Sequence, residues 1–166
     1  MNIKLTQKER MLLEDQKSHE EMCIKKYTEA SNKAQDPQLK QMFQNHAMQE
    51  QQHLDTVNQI LNGQVPSMNN QQQGQQSNQQ SSGQSGQGMK QIQNSASSGT
   101  NNQKDKDLCQ DLLMTEKYVS GTYDVTIFEC SDTNIRQALN HIQKEEQQHG
   151  EEIFNYMQSN GMYTLQ

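Results

Sequence analysis

Two Glu-x-x-His pairs stand in the chain, Glu50 with His53 and Glu146 with His149, and a further glutamate precedes each pair by 30 residues, Glu20 and Glu116. Side chains three apart on a helix lie one turn apart on the same face, so each pair aims a carboxylate and an imidazole in one direction. Four carboxylates carry a charge that two divalent cations would cancel, with neutral imidazoles completing the coordination. Oxygen-rich sets with one imidazole per metal favour iron or manganese over zinc. The alternative is a pair of solvated helix faces, since Glu, Gln and His are common there, and Glu145-Glu146-Gln147-Gln148-His149 in isolation reads either way.

Repetition weighs against a surface reading. Shifting the sequence by 96 positions aligns residues 12–61 with 108–157 without a gap, with ten identities in 50. Those identities include Glu20/Glu116, Tyr27/Tyr123, Asp36/Asp132, Glu50/Glu146 and His53/His149. The same residues fall in helical 3-4-3-4 stripes that are otherwise mostly apolar. These are Leu13, Gln16, Glu20, Cys23, Tyr27, Ala30, Ala34, then Leu39, Phe43, His46, Glu50, His53, Val57, Ile60. The second half repeats the pattern in Cys109, Leu112, Glu116, Val119, Tyr123, Thr126, Cys130, then Ile135, Leu139, Ile142, Glu146, His149, Ile153, Tyr156. An unpaired buried ion costs several kcal/mol even after relaxation, so carboxylates on core-facing stripes need protons or metal.

Each half therefore reads as a helical hairpin. Asp36 and Asp132 are placed to cap the second helix of each, Pro37 suits a first turn, and Gly63 and Gly161 follow the last periodic residues. The expected fold is all-α, an antiparallel four-helix bundle of two repeated hairpins, 1–62 and 105–166. Between them, 63–104 has only five apolar residues and is mostly Gln, Asn, Ser and Gly. It reads as a disordered linker, because it cannot bury enough surface to offset its ordering entropy. About 40 residues of coil reach roughly 35 Å, enough to join opposite ends of a bundle.

Other residues carry weaker signals. Tyr27 and Tyr123 lie two turns from Glu20 and Glu116 and need hydroxyl partners if buried; a redox role, or one behind the ligands, is the sharper reading. His46 sits one turn before Glu50, but its repeat mate is Ile142, so it reads as a hydrogen-bonded core histidine or a residue supporting the ligands. Cys23, Cys109 and Cys130 lie on stripes and read as inert buried thiols. His19 and His141 read as surface residues, and Asp15 and Asp111 as solvent-facing.

Length and composition bound the rest. The chain has 166 residues, a net charge of −6, 30% hydrophobic residues and no Trp. No apolar run reaches the length of a membrane span, Met1–Lys17 contains no stretch that reads as a secretory signal, and no basic stripe points to nucleic acid. Three scattered cysteines make neither a zinc knuckle nor a disulfide framework.

The pattern E…E-x-x-H…E…E-x-x-H on four helices resembles the ferritin-like superfamily, and the C-terminal half resembles the coat F family of spore coat proteins. The latter rests on Tyr123, Glu129-Cys130-Ser131-Asp132, Arg136 through Leu139, Glu145-Glu146, Ile153 through Met157 and Gly161-Met162-Tyr163. The ferritin-like resemblance implies two iron or manganese ions bridged by Glu50 and Glu146, with Glu20, Glu116, His53 and His149 as terminal ligands, and peroxide or oxygen chemistry of a peroxidase- or catalase-like kind. The coat F resemblance implies synthesis in the mother cell and deposition in the spore coat among other coat proteins. The chain has no C-x-x-C to feed electrons inward. That departure leaves open a purely structural coat protein with a vestigial or structural metal site. Its long linker, with glutamines near Lys90, Lys104 and Lys106, would act as tether or cross-linking substrate. Such a tether also permits exchange of hairpins in a homodimer.

Overall fold

The computed structural model describes residues 3–66 and 99–164. They form α1 (Gln7–Lys33), α2 (Pro37–Leu61), α3 (Gly99–Glu129) and α4 (Thr133–Ser159). The expected antiparallel four-helix bundle is present, and every position of the four stripes is buried. Exposed Glu21 next to buried Glu20 shows that α1 is rotated as its stripe requires.

Local chemistry starts and stops the helices. Thr6 opens α1 in a reciprocal capping box with Glu9. Asp36 accepts from the Gln38 N–H, and Asp132 from those of Asn134 and Ile135, while Pro37 occupies the first turn of α2. Gly63 (φ 78°) and Gly161 (φ 68°) take the left-handed conformation just beyond the ends of α2 and α4, where a side chain would be strained. One boundary differs from the sequence reading. α3 begins at Gly99, inside the stretch assigned to the linker, and Lys104 and Lys106 lie within it. Extending an existing helix adds one hydrogen bond per residue fixed, so polar residues can prolong it beyond its packed part. The rest of the linker reading, 67–98 with Lys90, lies outside the described residues.

Contacts between helices set their directions. Lys8 pairs with Glu129, Gln16 bonds Thr126 and Lys26 pairs with Asp111, so α1 and α3 run antiparallel. His46 meets Glu152 and His53 meets Glu145, so α2 and α4 do too. Ile3 bonds to Gly63 at one end of the bundle, and Asp105 accepts from the N–H groups of Gln35 and Asp36 at the other. The chain thus leaves α2 at one end and enters α3 at the opposite end, as the expected end-to-end connection requires.

The 96-residue repeat is a spatial pseudo-two-fold, and it extends beyond the aligned segments. Asp105 holds the loop of the first hairpin, and its repeat mate Glu9 holds the loop of the second by accepting from the Ser131 N–H and hydroxyl at 2.7 and 2.9 Å. Two apolar clusters fill the ends of the bundle. One centres on Leu13, Ile60, Ile135 and Leu139, the other on Leu39, Phe43, Leu112 and Ile153. The polar stripe residues form the layer between them. No helix among the described residues is long and apolar enough to cross a membrane.

Candidate metal centre

Each helix delivers its share of the layer. α1 contributes Glu20, α2 Glu50 and His53, α3 Glu116, and α4 Glu146 and His149, and all six are buried. The structure therefore brings all six Glu and His candidates into one layer. Two overlapping groups result. Ligand atoms of Glu20, Glu50, His53 and Glu146 lie within 4.8 Å of one another, and so do those of Glu50, Glu116, Glu146 and His149. Glu50 and Glu146 belong to both groups, the position a bridging carboxylate must occupy.

The polar atoms left without partners test whether cations fit. Glu20 Oε2, both oxygens of Glu50, Glu116 Oε2, Glu146 Oε2 and His149 Nδ1 are buried and make no hydrogen bond. An orphaned buried polar atom costs about 1–3 kcal/mol, more when charged. Six at one level of a bundle form a donor set that could hold a cation. His149 Nδ1 lies 2.9 Å from Glu50 Oε1, yet the two are not hydrogen-bonded, so imidazole and carboxylate converge without satisfying each other.

The outer atoms of the same residues are satisfied and fix their orientation. His149 Nε2–H donates to the side-chain oxygen of Gln49 at 3.0 Å, which leaves Nδ1 as the inward nitrogen. His53 Nε2 donates to Glu145 at 2.9 Å, again turning Nδ1 inward. Tyr27 donates its hydroxyl hydrogen to Glu116 Oε1, and Tyr123 donates to Glu20 Oε1. Burial, together with nearby carboxylates, pushes both phenols well above their ordinary pKa, so they remain neutral donors. Each terminal glutamate thus has one oxygen occupied and one free. Partners that hold a ligand from behind commonly affect metal affinity as much as 10–100-fold.

Without cations, protons take their place. Burial and then the charge of Glu50 push the Glu146 carboxyl well above the usual range, and the same two influences raise Glu20 to about 7 against the pull of His53. Burial disfavours the charged imidazoles, but the surrounding carboxylates outweigh it, raising His53 well above its ordinary value and His149 to about 9. His53 then donates from both nitrogens, Nδ1 to Glu146 at 3.0 Å and Nε2 to Glu145.

The C-terminal hairpin also matches a known family: residues 104–166 match the Coat F domain. The match spans this hairpin and does not extend into the first. No curated protein and no solved structure matches the chain. The coat F hairpin supplies Glu116, Glu146 and His149, with Tyr123 and Glu145 behind ligands, whereas Glu20, Glu50 and His53 come from the hairpin outside the match. The match suggests an association with the spore coat.

The remaining sequence candidates lie near the layer without joining either group. His46 stacks on His149 with ring centroids 4.3 Å apart, meets the Tyr27 ring edge-on and donates from Nε2 to Glu152 at 2.8 Å. Cys23, Cys109 and Cys130 are buried free thiols with raised pKa, chiefly through burial. His19 and His141, expected at the surface, are half-buried, whereas Asp15 and Asp111 face solvent as expected. The helix stripes do not reveal Gln49, Glu145 and Glu152, the acceptors behind the histidines. Gln49 and Glu145 are repeat mates, each one residue before a bridging-position glutamate, a coincidence that marks them in the sequence.

Within the coat F hairpin, α3 and α4 part to leave a cleft of about 570 Å³ whose lining includes Glu116, Glu146, Gly121 and Gly150. Glu116 keeps 2% exposure and Glu146 none, so the cleft ends against the layer without opening onto it. At the repeat mates of the two glycines the first hairpin carries Lys25 and Leu54.

Proposed function

We propose that this chain is a spore-coat protein whose bundle holds a carboxylate-bridged pair of iron or manganese ions, as in ferritin-like proteins. Glu50 and Glu146 would be shared, with Glu20 and His53 completing one position and Glu116 and His149 the other. The observation that carries this reading is the set of orphaned inward atoms on these residues, set against the satisfied outer atoms. Such a metal pair, when bound, supplies electron transfer to and from peroxide or oxygen.

The chain's own residues do the rest. Glu145 and Gln49 hold the imidazoles so that Nδ1 faces inward. Tyr27 and Tyr123 hold one oxygen of each terminal carboxylate while leaving the other free. The apolar clusters above and below keep bulk water from the layer, and the α3–α4 cleft brings solvent up to Glu116 and Glu146.

A second reading is a structural coat protein in which the same site only stabilises the bundle. The coat F match favours it, because that match speaks to a place in the spore and not to a reaction. Anaerobic loading with iron(II) or manganese(II), desalting and elemental analysis test both. Two ions per chain, lost in Glu50→Ala, is the expected result; no retained metal would overturn the site. Consumption of peroxide or oxygen by the loaded protein supports the redox reading, and its absence leaves the structural one.

A further inference from the structure

α3 is apolar on two faces. Its inner stripe enters the core, but Met114, Tyr118, Val125 and Phe128 are 70%, 63%, 54% and 82% exposed. With exposed Gly121 between them they fall at 114, 118, 121, 125 and 128, a strict 4-3-4-3 spacing. That is the seam of a two-stranded coiled coil, about 21 Å long at 1.5 Å per residue. Solvated helix faces are not normally built this way, and contiguous exposed apolar surface marks an interaction site.

Reversed end to end, the seam meets itself to within half a residue. Reversing it about Gly121 brings Met114 against Phe128 and Tyr118 against Val125. A glycine at the crossing point lets two backbones approach closely, and a side chain added there would meet no atom of its own chain within 4 Å. The flanking charges follow the same symmetry. Lys117 and Asp124 are exposed on one shoulder of the seam, and neither joins an ion pair among the described residues. In an antiparallel pair related by a two-fold axis, like shoulders meet, so Lys117 of each chain would face Asp124 of the other. On the opposite shoulder Asp111 and Glu129 would face each other, but each is already paired within its own chain, with Lys26 at 2.6 Å and Lys8 at 2.8 Å.

We infer that the outer face of α3 is a homodimer interface, in which two copies of this chain pair α3 against α3, antiparallel, about a two-fold axis near Gly121. A two-fold interface must be self-complementary, residue i meeting j and j meeting i. The apolar pairings and the Lys117–Asp124 pairing on one shoulder meet that condition. The proposal does not depend on the metal site, although Lys117, Gly121 and Asp124 also line the α3–α4 cleft, whose rim the pairing would cover.

Sedimentation equilibrium of the full chain tests it. A dimer is expected, and Phe128→Asp should raise its dissociation constant at least 100-fold. This residue is almost fully exposed, so the bundle remains folded. Lys117→Asp should weaken the dimer about tenfold, and Lys117→Asp with Asp124→Lys should restore it, which mere stickiness would not do. Gly121→Cys should give a disulfide-linked dimer on mild oxidation, since the three native thiols are buried. A monomeric wild type at 100 µM overturns the inference. So does a dimer indifferent to Phe128→Asp, or one that the charge reversal does not rescue.

Discussion

Tyr27 of the first hairpin donates its hydroxyl hydrogen to Glu116 of the second. The repeat-related Tyr123 donates to Glu20 in the reverse direction. Each hairpin therefore orients a carboxylate belonging to the other, and the pseudo-two-fold couples their assembly to the geometry of the polar layer.

Removing one hydroxyl should expose that coupling. Tyr27→Phe leaves Glu116 with no bonded oxygen and a carboxylate free to rotate. The metal-free protein should lose about 1–3 kcal/mol in chemical denaturation. Affinity at the position containing Glu116 and His149 should fall 10–100-fold in a chelator competition. Tyr123→Phe should do the same at the position containing Glu20 and His53. Equal loss at both positions from either substitution would contradict the assignment of one tyrosine to each.

Glu146 should trade stability for metal. Burial and the nearby Glu50 charge already favour its neutral form, so Glu146→Gln replaces a strained ionisable group with a neutral one of the same shape. The metal-free variant should melt at or above the wild-type temperature at neutral pH. Wild type should gain about 4 kcal/mol with metal at a thousand times its dissociation constant, and the variant far less. Melting curves with and without manganese(II) measure both.

Glu9 should govern acid stability at the far end of the bundle. Burial alone would raise its pKa, but the Ser131 and Thr6 N–H groups and hydroxyls donate to it and bring the carboxyl down to about 2. A carboxylate depressed in the folded state adds stability above its unfolded pKa near 4.5, and that stability is lost as pH falls towards 2. Glu9→Gln should cost about 2 kcal/mol at pH 7 in urea denaturation. The gap between variant and wild type should close between pH 4.5 and 2.

By itself, the amino-acid sequence determined the helices, their buried faces and the six inward Glu and His side chains proposed as ligands. Each of these is a matter of period. A 3.6-residue turn dictates which side chains share a face, and a gapless 96-residue shift states which faces are equivalent. Tertiary structure decided what stands behind those ligands. Gln49 and Glu145 meet the imidazoles, and Tyr27 and Tyr123 meet the glutamates, across helices that no local period relates. The same holds for Glu9 and Asp105, which lie outside the aligned repeat and each brace the loop of the opposite hairpin. Periodicity describes one helix at a time, whereas the direction and depth at which two helices cross follow from the packing of all four. Only that packing shows which atoms of the layer find partners and which are left facing one another.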